Sequence, residues 1–202
     1  MQMVHNVVGS RTTLPILSTA LVSAEKGRVC LTTTDLDLTV RCGMVAKVEK
    51  AGASALPVRR LAGIIRELSE GEILVSVDEK DTATIESGSS YFKIIGMSEQ
   101  DFPPMAKAEA KHAYRIDQGA FKRMLARTSY AASRDESRYV LNGVLLSFKN
   151  GKLVMVATDG RRLALVEQEV EFPAEAETDV ILPTKAVTEL EQILGEEGDL
   201  RI

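Results

Sequence analysis

The chain repeats itself, and the repeat restricts its fold more than any local pattern does. Residues 17–35 read LSTALVSAEKGRVCLTTTD and residues 141–159 read LNGVLLSFKNGKLVMVATD. Without a gap, Leu17 falls on Leu141, Leu21 on Leu145, Gly27 on Gly151, Val29 on Leu153, and Thr34-Asp35 on Thr158-Asp159. ALPVRRLAGIIREL (55–68) likewise matches ILPTKAVTELEQIL (181–194), with Leu56-Pro57 on Leu182-Pro183, Leu61 on Val187, Ile64 on Leu190 and Leu68 on Leu194. The two offsets, 124 and 126, are nearly equal and in order, so the chain reads as two copies of a unit of about 125 residues. In that register, counterparts of 72–114 would lie beyond residue 197, and the counterpart of YRIDQGAFKRML (114–125) would precede Met1. The expectation is a piece cut at both ends.

Periodicity then fills in the unit. Strands are expected at 16–24, Val29–Thr33, Leu36–Val40, Ile73–Val77, Thr82–Glu86, Tyr91–Ile95, Val144–Phe148, Leu153–Ala157 and Leu163–Glu167. Lys26-Gly27 and Asn150-Gly151 supply the positive φ of a two-residue hairpin turn. Helices are expected at Val58–Leu68, Ala120–Ala132 and Lys185–Leu194, with Pro57 at the first helical position. Asp101-Phe102-Pro103-Pro104 cannot continue regular structure, so a domain boundary is expected near residue 113. Arg11 followed by Leu14–Val22 and Val22-Ser23-Ala24 has the outline of a signal peptide. Pro15, Ser18 and Thr19 interrupt its apolar stretch, and a cleaved leader would have no internal copy.

Composition narrows the function. Hydrophobic residues at 45% and charged ones at 27% exclude disorder and a disulfide-stapled miniprotein. No run approaches 18 apolar residues, so no membrane span is expected. Cys30 and Cys42 form no CxxC, which argues against a zinc site and for a reducing, cytoplasmic setting.

The net charge of −4 is unevenly spread. Residues 167–202 hold eleven acids against Lys185 and Arg201, which leaves the remainder at +5. Arg59, Arg60 and Arg66 sit on the non-core side of one helix, and Lys122, Arg123 and Arg127 on that of another. Few acids stand among these bases, and within the two expected helices none lies at i±4 to pair with them. Such faces suit loose, sequence-independent contacts to phosphates, and no helix-turn-helix, RRM or finger motif points to base readout.

Catalytic motifs are scarce. There is no GxSxG, P-loop or HExxH, and His5 and His112 are poorly placed. Asp35 and Asp37 could suggest a metal-dependent enzyme, but on an alternating strand they would face solvent together, and copy two offers Asp159-Gly160-Arg161 instead. A standalone β-rich interaction module is the other alternative; a third copy further along the gene would argue against it. In the Thr158–Leu163 turn Asp159 is expected to cap backbone amides, as Asp35 is in copy one, and Arg161 and Arg162 precede Leu163.

Several motifs in order resemble the bacterial DNA polymerase III β subunit family, the sliding clamps. They are Arg11-Thr12-Thr13-Leu14-Pro15-Ile16-Leu17, Thr33-Thr34-Asp35-Leu36-Asp37-Leu38, Asp101-Phe102-Pro103, Arg138-Tyr139-Val140-Leu141-Asn142-Gly143-Val144 and Ala157-Thr158-Asp159-Gly160-Arg161-Arg162-Leu163-Ala164. The resemblance implies an α+β clamp fold of tandem pseudo-repeats, with outer β-sheets and inner short helices. It implies a non-catalytic subunit of the DNA-directed DNA polymerase III holoenzyme, without cofactor or metal. Two three-domain chains would form a ring around duplex DNA. Residues 1–113 would be domain 1 lacking its first strand and part of its first helix, and residues 114–202 a domain 2 lacking its C-terminal part. The third domain, which completes the homodimer, would be absent.

By the same resemblance Arg11 and Arg138 face DNA, joining Arg59, Arg66, Lys122, Arg123 and Arg127. The partner-peptide cleft falls on Leu141, Thr158, Gly160, Arg161, Arg162 and Leu163, with Arg161 where the family usually has His. The domain 1 side of the dimer interface falls on Leu68 and Phe92. Implied partners are the polymerase III α subunit, the clamp-loader δ subunit and other proteins carrying a clamp-binding motif.

Overall fold

The structure is a computed structural model and describes residues 14–69, 71–105, 113–135 and 137–202. The chain divides into two compact units, residues 1–106 and 107–202. In the first, a 3-10 turn (Pro15–Ser18) leads into β1 (Thr19–Glu25), β2 (Arg28–Thr34), β3 (Thr39–Val45) and β4 (Gly52–Pro57). Helix α1 (Val58–Glu67) follows, then β5 (Leu74–Val77), β6 (Thr82–Ser87) and β7 (Ser90–Ile95). The strands form two antiparallel sheets, ordered β3-β2-β1-β4 and β5-β6-β7.

The second unit runs β8 (Arg115–Asp117), α2 (Gln118–Thr128), a 3-10 turn (Ser129–Ala131), β9 (Gly143–Lys149), β10 (Lys152–Thr158) and β11 (Leu163–Glu169). It continues through β12 (Thr178–Pro183), α3 (Thr184–Ile193) and β13 (Asp199–Arg201). Its large sheet is ordered β11-β10-β9-β12, and β13 pairs with β8.

The two large sheets are built alike. β1, β2 and β3 begin at residues 19, 28 and 39, and β9, β10 and β11 at 143, 152 and 163, each 124 later. β4 and α1 begin at 52 and 58, and β12 and α3 at 178 and 184, each 126 later. The repeat in the sequence is therefore a repeat of sheet order and helix position. The expected hairpins are present: Lys26 and Gly27 have φ of 47° and 76°, and Asn150 and Gly151 of 52° and 68°, as a type I′ turn requires.

Period-two alternation sends alternate side chains of each strand to opposite faces. In the first unit Leu56 joins Ala20, Leu31, Leu61, Ile85 and Ile94 in one core, while its neighbour Ala55 joins Ile16, Leu17 and Phe102 in another. α1 rests on β1, β4 and β7 through buried Val58, Leu61 and Ala62. In the second unit α2 lies on β10 and β11, α3 lies on β9 and β12, and the helices touch each other, so both cover one face of the sheet. Their shared core includes Phe121, Leu125, Leu146, Phe148, Leu153, Met155 and Val187. Phe148 stacks on Tyr114 with ring centroids 3.9 Å apart, and the Tyr114 hydroxyl donates to the Ala176 carbonyl. Asp117 caps α2 by accepting from the Ala120 amide at 2.7 Å.

Several expected boundaries move. Residues 16–18 belong to a 3-10 turn, so the strand expected at 16–24 starts at Thr19. Leu36–Val40 is not a strand: residues 35–38 form a turn, and β3 spans Thr39–Val45. Pro57 and Pro183 end strands and precede the helices rather than beginning them. Periodicity assigns no strand to 52–57 or 178–183, although both pair along a full edge of their sheets.

Candidate nucleic-acid and peptide interfaces

On α1, Arg59, Arg60 and Arg66 are exposed. Arg59 and Arg66 are seven residues apart, nearly two turns, and so share a face. Among the described residues none of the three forms an ion pair. α3, the counterpart in the second unit, keeps a base only at Lys185. Gln192 stands where Arg66 does, and α3 adds Glu189 and Glu191. Glu191 accepts from Ser129 Oγ at 2.9 Å, which ties α3 to the end of α2. Glu189 is buried, and burial pushes its carboxyl above the ordinary value although Lys185 pulls it down.

On α2, Arg127 is exposed and without an ion pair among the described residues. Its neighbours differ from expectation. Lys122 Nζ lies 2.6 Å from Glu196 Oε1, and Arg123 lies 3.9 Å from Asp117. Spacing within the helix shows no partner because Glu196 is 74 residues away along the chain. Exposed pairs of this kind hold about 0.2–1 kcal/mol each, so a phosphate can compete with them. Arg138 Nε lies 3.5 Å from Asp135. A hydrogen bond from the Ser137 hydroxyl, then its amide and Arg138, holds the Asp135 carboxyl below its usual range. Arg11, like His5 and His112, lies outside the described residues.

Leu68 and Phe92 are partly buried against the first unit's own core, beside Ile64 and Ile65. The exposed apolar surface near them lies on β7, at Tyr91 and Ile95, and on β5, at Leu74, Val75 and Val77. Alternation alone does not separate these from core positions.

The turn between β10 and β11 is closed by its own side chains. Thr158 Oγ1 donates to the Arg162 carbonyl at 2.7 Å and accepts from the Gly160 amide at 3.1 Å. Asp159 Oδ1 accepts from the amides of Arg161 and Arg162 at 2.9 and 3.0 Å, and Oδ2 accepts from Arg162 Nε at 3.0 Å. Those amide bonds are the main reason the Asp159 carboxyl sits below its usual range. Gly160 has φ 87°, and nothing stands within 4 Å of where its Cβ would be.

The first unit has the same turn. Thr34 Oγ1 donates to the Leu38 carbonyl at 3.1 Å, and Asp35 Oδ1 accepts from the amides of Asp37 and Leu38 at 3.1 and 2.8 Å. Leu36 has φ 82° where the second unit has Gly160. Asp35 thus caps its turn as expected, and it is the placing of Asp35 and Asp37 on one alternating strand that is overturned. Asp35 binds backbone amides, and among the described residues no three His, Cys, Asp or Glu side chains are grouped to hold a metal.

The candidate cleft residues Thr158, Gly160, Arg161, Arg162 and Leu163 lie on this one turn or at its two strand ends, whereas the β9–β10 pairing ends at Val156↔Leu145, short of Leu141. Leu141 is half-buried and its carbonyl accepts from Ser133 N at 2.9 Å. Leu163 is 63% exposed, so it is not core. Leu165, on the same side of β11, is also exposed, with Ala164 buried between them. Arg162 lies over the Tyr130 ring, 5.6 Å from its centroid. No pattern in the sequence joins Tyr130 to this turn.

Comparison with known proteins places both units. Residues 1–106 match the family model described as "DNA polymerase III beta subunit, N-terminal domain", and residues 115–202 match "DNA polymerase III beta subunit, central domain". The chain is 40% identical over 194 residues to the "Beta sliding clamp" of Chlamydia muridarum, covering 96% of this chain and 53% of that protein. It superposes on the Pseudomonas aeruginosa DNA polymerase III subunit beta with a TM-score of 0.92 at 33% identity, over 99% of this chain and 55% of that one. The Bacillus subtilis sliding clamp gives 0.94 at 28% identity, over 99% and 55%. The chain thus spans about half the length of the relatives it matches.

Proposed function

The chain belongs to the DNA polymerase III beta subunit family, the beta sliding clamps, and from that premise we propose that it acts in DNA replication as a processivity factor. It is part of a ring that encircles duplex DNA and tethers the replicative polymerase, with no catalytic step of its own. The observation that carries this reading is the repeat, whose two copies fall in order on two successive domains of one family.

The physical requirement for sliding is many weak phosphate contacts with no preferred register. Exposed arginines on short helices meet it: Arg59 and Arg66 on α1, Arg127 on α2, with Lys122, Arg123, Arg138 and Arg11 alongside. Their affinity comes from counterion release and carries no sequence information. Closure of the ring through a second copy would hold the polymerase near its template at a high effective concentration.

The Thr158–Leu163 turn, together with Leu141, is the proposed docking site for partner peptides. Candidates are the polymerase α subunit, the clamp-loader δ subunit and other clamp-binding-motif proteins. Leu68 and Phe92 are proposed to lie on the homodimer side of the first unit, and a cytoplasmic location is proposed with the DNA. Among the described residues no helix is long and apolar enough to cross a membrane.

The test is neutralisation of Arg11, Arg59, Arg66, Lys122, Arg123, Arg127 and Arg138 in the full-length gene product. Each lost phosphate contact should lower the log–log salt slope of DNA association by about 0.9. An unchanged slope in a folded ring would refute phosphate contact by these residues.

A further inference from the structure

Among the bases proposed to meet phosphate, Lys122 differs in already holding a carboxylate at close range. Arg59, Arg66 and Arg127 form no ion pair among the described residues, and Arg123 and Arg138 reach their acids only at 3.9 and 3.5 Å. Lys122 Nζ donates to Glu196 Oε1 at 2.6 Å. Glu196 belongs to the 195–198 segment between α3 and β13. Its carboxyl is held below the usual range, chiefly by that hydrogen bond and the Lys122 charge, with a smaller pull from Arg123. The Glu196 side chain is 71% exposed, so a phosphate can reach the pair from solvent.

The segment is fixed to α2 by contacts that do not use this carboxylate. Gln118 Oε1 accepts from the Gly195 amide at 3.0 Å, Gln118 Nε2 donates to the Glu197 carbonyl at 2.9 Å, and the Gln118 amide donates to the Gly198 carbonyl at 2.8 Å. A Cβ on Gly119 would collide with the Glu196 carbonyl, so backbone lies directly on backbone here. β13 then pairs with β8, immediately before α2. Glu196 is thus delivered to Lys122 by a frame that stands without the ion pair, and an exposed pair of this kind adds little to folding.

We propose that Glu196 is a tethered substitute for a DNA phosphate: it holds the Lys122 ammonium between contacts and so weakens the grip of α2 on the duplex. The inference rests on the reading of α2 as a phosphate-facing helix. An arriving phosphate displaces the carboxylate, and a departing one is replaced by it. Lys122 is therefore never left bare, and its net contribution to binding shrinks. Arg127, with no such carboxylate, keeps its full contact. Weak contacts that are readily given up are what movement along DNA requires. Glu197, one residue on, carries the same charge, but only its carbonyl engages α2. It separates the role of the Glu196 hydrogen bond from an effect of net charge.

The test is association of the full-length gene product with a labelled linear duplex across a salt series. The parent is compared with Glu196→Gln, Glu197→Gln, Arg127→Gln, Lys122→Gln and the double variant Glu196→Gln/Lys122→Gln, with Glu196→Ala as a second removal of the carboxylate and melting temperatures to confirm each fold. Glu196→Gln should bind about two- to fivefold tighter at low salt, with a log–log salt slope steeper by up to about 0.9. Glu197→Gln should stay near the parent, and the gain should vanish when Lys122→Gln is added. Parent-like affinity and slope in Glu196→Gln, while Arg127→Gln lowers the slope, overturn the role of Glu196 and leave the phosphate reading of α2 standing. Equal gains from Glu196→Gln and Glu197→Gln, or a gain that survives Lys122→Gln, also overturn it. If Arg127→Gln and the Lys122 variants all keep the parent's slope, the phosphate reading of α2 is refuted and this role with it.

Discussion

Replacing Gly160 by leucine should separate the stability of the β10–β11 turn from its use. The twin turns supply the magnitude. Leu36 already occupies φ 82° in a turn closed by the same hydrogen bonds, and Gly160 occupies φ 87°. A non-glycine residue in the left-handed region costs about 1–2 kcal/mol. Losing a glycine from the unfolded chain returns about 0.4–1 kcal/mol. Nothing lies within 4 Å of the added Cβ, so no clash enters. The net loss should be about 1 kcal/mol, a shift of roughly 4–8 °C in a unit of this size. The new side chain, however, would enter the open space over the turn that leads to the exposed Leu163. Peptide affinity should fall more than tenfold, which is about 1.4 kcal/mol. Thermal unfolding and peptide titration on the same preparation give both numbers. Parent-like affinity in the folded variant would refute docking over the open face of Gly160. A stability loss of several kcal/mol would refute the equivalence of the two turns.

Three further outcomes follow from packing and charge. Phe148 is 2% exposed and stacked on Tyr114, so Phe148→Ala should cost the second unit about 3–5 kcal/mol, read as a lower denaturant midpoint. Glu189 is buried, and Oε2 has no hydrogen-bond partner among the described residues. Its folded pKa is raised above the ordinary 4.5, so it withdraws stability as pH rises through that value and up to the folded one. Glu189→Gln should therefore stabilise at pH 7–8 and make little difference at pH 4, seen in melts across that range. Asp159 has the opposite sign: its folded pKa lies below the ordinary 3.8. Its contribution is present above that value and lost as pH falls through the folded one. Proton exchange at the Arg161 and Arg162 amides should quicken there, an acid effect that Asp159→Asn removes.

The large sheets were legible because their residues recur: a shift of 124 or 126 maps strand on strand and helix on helix. At 35–38 two readings conflicted: the repeat sets Asp35 on the capping Asp159, whereas Leu36-Asp37-Leu38 alternates like a strand. The Asp35 carboxylate captures the next two available amides and turns Leu36 to positive φ, which period counting does not register. β4 escaped notice because Gly52-Ala53-Ser54-Ala55 has little β-branched character, and β12, despite Thr178, Val180 and Ile181, because it too ends in the Leu-Pro that leads into a helix. At the candidate sites, Leu163 and its polar neighbours came from motif and turn chemistry. Tyr130 beneath Arg162 and Glu196 beside Lys122 did not, because each contact joins residues tens of positions apart.

The central claim is topological, so the deciding measurement is retention on DNA of different topology. The labelled full-length gene product is loaded by its clamp loader onto a nicked circular plasmid, freed of unbound protein, and the plasmid is then cut once. Encirclement predicts that the protein stays on the intact circle, including in salt that removes simple phosphate binding, and runs off after the cut. Equal retention before and after cutting, or loss from the intact circle at the same rate as from the linear form, would contradict it.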